Sequence, residues 1–192
     1  MDTIRNVLDA IRARANDYFR ARYVSDGDVV ILGNSANPDG SSNTATSDKI
    51  VLSVYNITHE TIVSQYLTQK PSAGSFATVS PPLYIDLHLV AMANFAGQNY
   101  AAGLAALSQT ISFFQQNPIF DHNSTPQLDP AVDKIALEFV SLPPAEIHAV
   151  MAMLGTRYLP CVFYKLRVIP FAEQSLRSEI QGAPIPTGIR QP

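Results

Sequence analysis

Ile4, Val7, Leu8, Ile11, Ala15 and Phe19 recur at helical spacing, while Arg5, Asp9 and Arg12 fall away from them on the wheel. The pattern predicts an amphipathic helix docked by one stripe. A short apolar run, Val29 to Leu32, comes next. The Gly/Asn/Ser/Asp stretch from Gly33 to Asp48 has no periodicity that could bury it, and is expected to be a mobile surface loop. Lys49 to Thr58 is rich in β-branched and aromatic residues and predicts a strand; Thr61 to Leu67 continues that character after a turn at His59 and Glu60. Gln69 to Pro82 carries three prolines and Gly74, and should be a long excursion between elements.

From Leu83 the pattern alternates. Leu83, Ile85, Leu87, Leu89 and Ala91 share one face of a central strand, with Tyr84, Asp86 and His88 on the other. Tyr100, Leu104, Leu107, Ile111 and Phe114 then predict a helix that the Asn117-Pro118 pair ends. Ile135, Leu137 and Phe139 alternate as another strand. Two prolines introduce a helix with Ile147, Val150, Met151 and Leu154 inward, and Gly155 stops it. The last strand, Val162 to Ile169, puts Val162, Tyr164, Leu166 and Val168 on one face and Phe163, Lys165 and Arg167 on the other. The fold class expected is α+β: a mixed, largely antiparallel sheet with the N-terminal helix and two further helices packed mainly on one side. Residues 1–171 form its one domain, and 172–192 a Pro/Gly-rich C-terminal tail containing GAPIPTG.

Composition adds a hint of partners. Charged residues make up 15% of the 192, below the roughly 25% of average domains, so much of the surface is uncharged or covered. A net charge of −3 offers no general attraction to nucleic acid or anionic membrane. Charge is unevenly spread: residues 1–22 carry +2, residues 157–192 carry +3, and the middle carries −8. Such a subunit could stack head to tail, although a solvated surface gives the same pattern. No apolar run approaches the roughly 20 residues of a spanning helix, and the acidic, amphipathic start is unlike a signal peptide, so the expected location is the cytoplasm. The single Cys161 permits no internal disulfide.

Catalytic motifs are hard to find. His59, His88, His122 and His148 form no short metal-ligand spacing, no GxSxG elbow occurs, and GNSANPDG has no lysine at a phosphate-binding position. Asp86 and His88 share a strand face, and Asp121 adjoins His122, so a carboxylate could meet an imidazole; ordinary hydrogen bonding is the simpler reading. Cys161, after Pro160 and among apolar residues, reads as a buried, inert thiol.

Four segments carry a resemblance: DKIVLSVYNI (Asp48 to Ile57), LYIDLHLVAMANF (Leu83 to Phe95), ALSQTISFFQQNPIF (Ala106 to Phe120) and LGTRYLPCVFYKLRVI (Leu154 to Ile169). In order and spacing they resemble the tube-terminator, or cap, family of phage-tail-like contractile injection systems of the antifeeding-prophage and virulence-cassette type. Met151 stands where that family tends to have Trp, and Cys161 where it has Ser; both swaps suit a core. The resemblance implies a tail-terminator-like fold and a structural, non-enzymatic role without cofactors or metal. Six copies would form a ring on the end of the inner tube, stop its growth and hold the last sheath ring. The implied partners are other copies of the chain, the tube protein and the sheath protein, with no nucleic acid or membrane. Assembly would take place in the cytoplasm. Contacts are assigned to the two loops and the tail, with Arg157, Lys165 and Arg167 as the candidate electrostatic interface. Two rival readings are a monomeric assembly adaptor or chaperone and a small metal-dependent hydrolase using Asp86, His88 and His122.

Overall fold

The computed structural model describes residues 2–22, 27–37, 39–60, 71–72, 75–79, 83–171 and 176–181. Its helices are α1 (Thr3–Arg22), α2 (Tyr100–Gln116) and α3 (Pro144–Met153). The strands are β1 (Val30–Leu32), β2 (Lys49–His59), β3 (Pro71–Ser72), β4 (Ser75–Val79), β5 (Leu83–Asn94), β6 (Ile119–Asp121), β7 (Lys134–Val140), β8 (Cys161–Phe171) and β9 (Leu176–Gln181). Six strands form one sheet in the order β1-β2-β5-β8-β7-β6, antiparallel throughout except for the parallel β1 and β2. The strand expected to be central, β5, is central. A second sheet, β3-β4-β9, takes up part of the expected excursion and part of the expected tail. The strand foreseen at Thr61 to Leu67 lies outside the described residues.

Apolar periodicity accounts for the layers. Val7, Leu8, Ile11, Ala15 and Phe19 of α1, with Leu107, Phe113 and Phe114 of α2, pack on Ile50, Leu52, Leu87, Leu89 and Leu166 on one face of the sheet. The opposite face is smaller. There α3 sets Val150 and Met151 against Val51, Val90, Met92 and Phe163. Two helices therefore lie on one face and one on the other.

Several details depart from the sequence pattern. The inward side of α2 is Gly103, Leu107, Thr110, Phe113 and Phe114, whereas Tyr100 and Leu104 are exposed. Gly103 is there because a Cβ would come within 2.8 Å of the Phe95 Cβ, so the helix crosses Phe95 at glycine contact. The loop from Gly33 to Asp48 is held in place rather than free. Ser35 and Thr46 are buried, and Asn94 Nδ2 donates to the Thr46 carbonyl at 3.0 Å and to its hydroxyl at 2.8 Å. Thr46 is thus tied to β5 across the fold, whereas the buried Ser35 hydroxyl has no hydrogen-bond partner among the described residues.

Two bulges flank β5. One inserts Tyr55 into β2 between the Val54 and Asn56 pairings; the other adds a residue to β8, so that Leu87 pairs with Leu166 but Ile85 with Ile169. The second bulge changes the parity of β8. Ile169, not the residue two after Leu166, joins Ile85 in the core.

Candidate functional site

The face of the sheet under α3 has two halves. Near the Met92 end it is apolar and covered. Toward the other end of β5 it carries polar and charged side chains from four adjacent strands, beyond the reach of the ten-residue α3.

Asp86, 1% exposed, occupies the bulged step of β5 and accepts from Lys165 Nζ at 2.8 Å. A buried carboxylate requires such a partner because desolvation without one is expensive. Arg167, two residues along β8, donates through Nη2 at 2.8 Å and Nε at 3.2 Å to Glu60 Oε2, and through Nη1 at 3.0 Å to Glu138 Oε1. Glu60 is 4% exposed and Glu138 lies on the outer part of the row. The Glu60 hydrogen bond, seconded by Glu138, pushes the already high guanidinium pKa higher still, so the cation is permanent.

His88 sits beside this row. Its Nε2 lies 3.0 Å from Thr58 Oγ1, and its ring meets Tyr55 edge-on at 5.7 Å. Burial, then the Lys165 cation, hold the imidazole below its usual pKa against the opposing pull of Asp86. A neutral imidazole next to a carboxylate could serve as a base or ligand, but the Asp86 carboxylate is engaged by Lys165. Among the described residues no group of three or more His, Cys, Asp or Glu side chains could hold a metal ion. Asp121 hydrogen-bonds the Ser124 N–H at 2.8 Å, a turn contact that leaves His122 outside the arrangement. Burial pushes the Cys161 thiol up to about 11, as suits an inert packing residue.

The three cations singled out in the sequence thus divide. Lys165 and Arg167 stand on one strand face, each engaged with a buried carboxylate. Arg157 is exposed and has no ion pair among the described residues. It follows the end of α3, where the Thr156 N–H bonds the Met151 carbonyl at 3.1 Å and the Gly155 N–H bonds that of Ala152 at 3.1 Å, with Gly155 at φ 64°. This Schellman turn stops the helix and sends Arg157 and Tyr158 outward. Beside them Ile147, His148, Met151 and Ala152 line an open cleft of about 580 Å³, and Met153 and Tyr158 are 68% and 71% exposed. An apolar surface with one free cation and a large tyrosine has the composition of a protein interface. The N-terminal cations are more heavily engaged, since Arg12 and Arg20 both pair with Asp28.

Sequence reasoning missed Glu60 and Glu138 as partners of Arg167; their charge was visible, but not their meeting across three strands.

This arrangement of sheet and helices is the fold of the terminators of contractile injection particles. The chain matches the sheath/tube terminator of the extracellular contractile injection system PVC, in its extended state, with a TM-score of 0.66 and 13% identity over 99% of this chain and 64% of that one. It also matches the tube-terminating cap of the anti-feeding prophage, with a TM-score of 0.56 and 13% identity over 95% of this chain and 60% of that one. A family model, the Pvc16 N-terminal domain, matches residues 4–182, and the chain belongs to that family. It spans less than two thirds of the length of either of these solved structures. No curated protein matches it in sequence.

Proposed function

We propose that this chain is a structural cap subunit, which seats on the end of the inner tube of a contractile injection particle, stops the tube at its final length and anchors the last sheath ring. The observation that carries this reading is the family match over residues 4–182, joined to the likeness in fold to two terminators. Six copies act as a ring. A head-to-tail contact closes only when its rotation divides the circle, and a six-fold tube end offers six equivalent seats. A subunit that binds the growing end but presents no copy of the tube's polymerising surface ends growth by geometry. No catalysis, cofactor or metal is required. Neither nucleic acid nor membrane is a partner in this reading, and assembly takes place in the cytoplasm before the cap becomes part of the particle.

Residues 1–171 form the seating body and 172–192 the linking tail. Of the candidate interface residues, Arg157 is the free cation beside the α3 cleft and contacts a partner directly. Lys165 and Arg167 hold a charged row whose outer member, Glu138, is half exposed. Apolar exposure at Met153 and Tyr158 is what a partner-covered surface leaves on an isolated subunit.

The experiment is deletion of the gene from an operon that encodes tube and sheath, followed by electron microscopy of the particles. Tubes of uncontrolled length or detached sheaths are expected. Particles of normal length and stability would overturn the assignment. Elemental analysis of the purified protein addresses the hydrolase alternative, since stoichiometric zinc or manganese would contradict a purely structural role.

A further inference from the structure

The two edges of the large sheet differ. At β1 the outward N–H and carbonyl of Val30 are both taken by the Asn16 side chain. At the other edge β6 pairs with β7 only as far as Ile119 against Ala136, and the next contact is the Leu137 N–H to the Pro118 carbonyl at 2.8 Å. Phe139 lies two residues further along, so its N–H and carbonyl turn to the same outer side, where no described strand is paired. Phe139 is 58% exposed.

Between this open edge and the end of α2 lies an open cavity of about 170 Å³, where the polar Gln115 joins the apolar Ile111, Phe114, Pro118, Leu137 and Phe139 and the ring of Tyr164. Ligand pockets start at roughly 300 Å³. A dry cavity of roughly 150 Å³ accepts benzene, so this one suits a single side chain rather than a cofactor. Tyr164 is 3% exposed, and its hydroxyl has no hydrogen-bond partner among the described residues. Burial raises the phenol's pKa, so the group stays protonated and able to donate. A buried donor without an acceptor among the described residues, next to an unpaired strand edge and an open notch of mixed polar and apolar lining, calls for an incoming extended chain that brings all three complements.

We propose that the notch receives residues 183–189 of a second copy of this chain as an added strand, with Ile185 filling the cavity and Thr187 accepting from the Tyr164 hydroxyl. The inference rests on the ring reading above. The sequence of that segment fits one-sided pairing. In an extended Ala183-Pro184-Ile185-Pro186-Thr187-Gly188-Ile189, the residues with an N–H to offer the edge and an apolar or β-branched side chain, Ala183, Ile185, Thr187 and Ile189, share one parity. Pro184 and Pro186 share the other, where a missing N–H faces away and blocks a further strand. The donor belongs to a neighbour because the chain is too short to come back along β8. Phe139 is opposite Tyr164, roughly 23 Å along β8 from Phe171, whereas Ile185 follows Gln181, the end of β9, by only four residues, roughly 14 Å of extended chain. Donor and acceptor so separated link subunits head to tail.

The test places benzoylphenylalanine at Phe139 in the full-length chain, mixes isotopically heavy and light protein in equal parts at high concentration, irradiates, and maps the adducts by mass spectrometry. Adducts on residues 183–189 are expected, about half joining a heavy chain to a light one. Ile185→Asp, in protein with unchanged circular dichroism, should cut their yield at least about tenfold. Adducts elsewhere, adducts only within one chain, no adduct, or a yield indifferent to Ile185→Asp would each overturn the proposal. Its fate is separable from that of the cap reading. Correctly ended tubes without this adduct leave the cap standing and remove the strand exchange; the adduct without tube termination does the reverse.

Discussion

Asn16 and Val30 are joined amide to amide: the Asn16 side-chain oxygen accepts the Val30 N–H at 2.9 Å, and its Nδ2 donates to the Val30 carbonyl at 2.8 Å. The same oxygen accepts from Val29 at 2.9 Å, and Asn16 is 1% exposed. One side chain of α1 thereby stands in for the strand that β1 lacks on its outer side. Truncation would leave buried backbone groups without partners, at about 1–3 kcal/mol each. Asn16→Ala is expected to lower stability by about 3 kcal/mol, read as a lower urea midpoint with an unchanged m-value. Asn6→Ala, which removes an exposed hydrogen bond to Asp129, should stay within about 0.5 kcal/mol and serves as the control.

The ion pair of Asp86 and Lys165 is expected to cost much when broken and little when replaced. Removal of one member of a buried pair costs about 3–5 kcal/mol. Lys165 keeps 26% of its side-chain surface in water, so Asp86→Asn should fall at the low end, about 3 kcal/mol. The double variant Asp86→Leu with Lys165→Met should recover more than half of that loss. Equal losses in single and double variants, measured by chemical denaturation, would show that the pair is not the source of the stability.

Gly103→Ala brings two effects into opposition. Alanine favours a helix over glycine by about 1 kcal/mol. Its Cβ would lie 2.8 Å from the Phe95 Cβ and 2.9 Å from its Cγ, and the Cβ is anchored to the backbone and cannot swing aside. Overpacking of this kind costs about 1–3 kcal/mol. Net destabilisation of about 1 kcal/mol is expected, a fall of roughly 2–4 °C in Tm for a chain of this size. A rise in Tm would mean that α2 slides freely over Phe95.

His88 gives the fold a pH dependence of definite sign. Its folded pKa is depressed, chiefly by burial, so the unfolded chain binds more protons as the pH falls below the ordinary histidine value near 6.5. The stability it contributes is complete above that pH and is lost as the pH falls toward the folded pKa. Denaturation of the wild type and of His88→Gln between about pH 7.5 and pH 5 should show the wild type losing stability faster. Parallel curves would mean that His88 titrates identically in both states.

Much of the fold was legible because burial follows period. The α1 stripe, the inward face of β5 from Ile85 to Ala91 and the stop at Gly155 are all recovered. What was hidden has physical reasons. Asn16 lies inside α1 as a polar residue satisfied by backbone, so a hydrophobic pattern assigns it to solvent. The bulges at Tyr55 and after Leu166 shift the parity of the strands without a glycine or proline to announce them. In β7, Ile135 and Leu137 are buried as their alternation suggests, but Phe139 is not, because α2 has ended and the sheet has reached its edge. The candidate cations were visible by type. Their partners were not: Arg167 finds Glu60 across 107 residues of sequence, a meeting that only strand order brings about.

The division of one sheet face into an apolar half under α3 and a charged half around Arg167 would offer a partner two kinds of footing with opposite responses to the medium. Contacts made on the α3 side tighten in sulfate or other excluded salts, while contacts made on the charged side loosen as ionic strength rises. A particle built on both would keep some grip through dilution and some through brine.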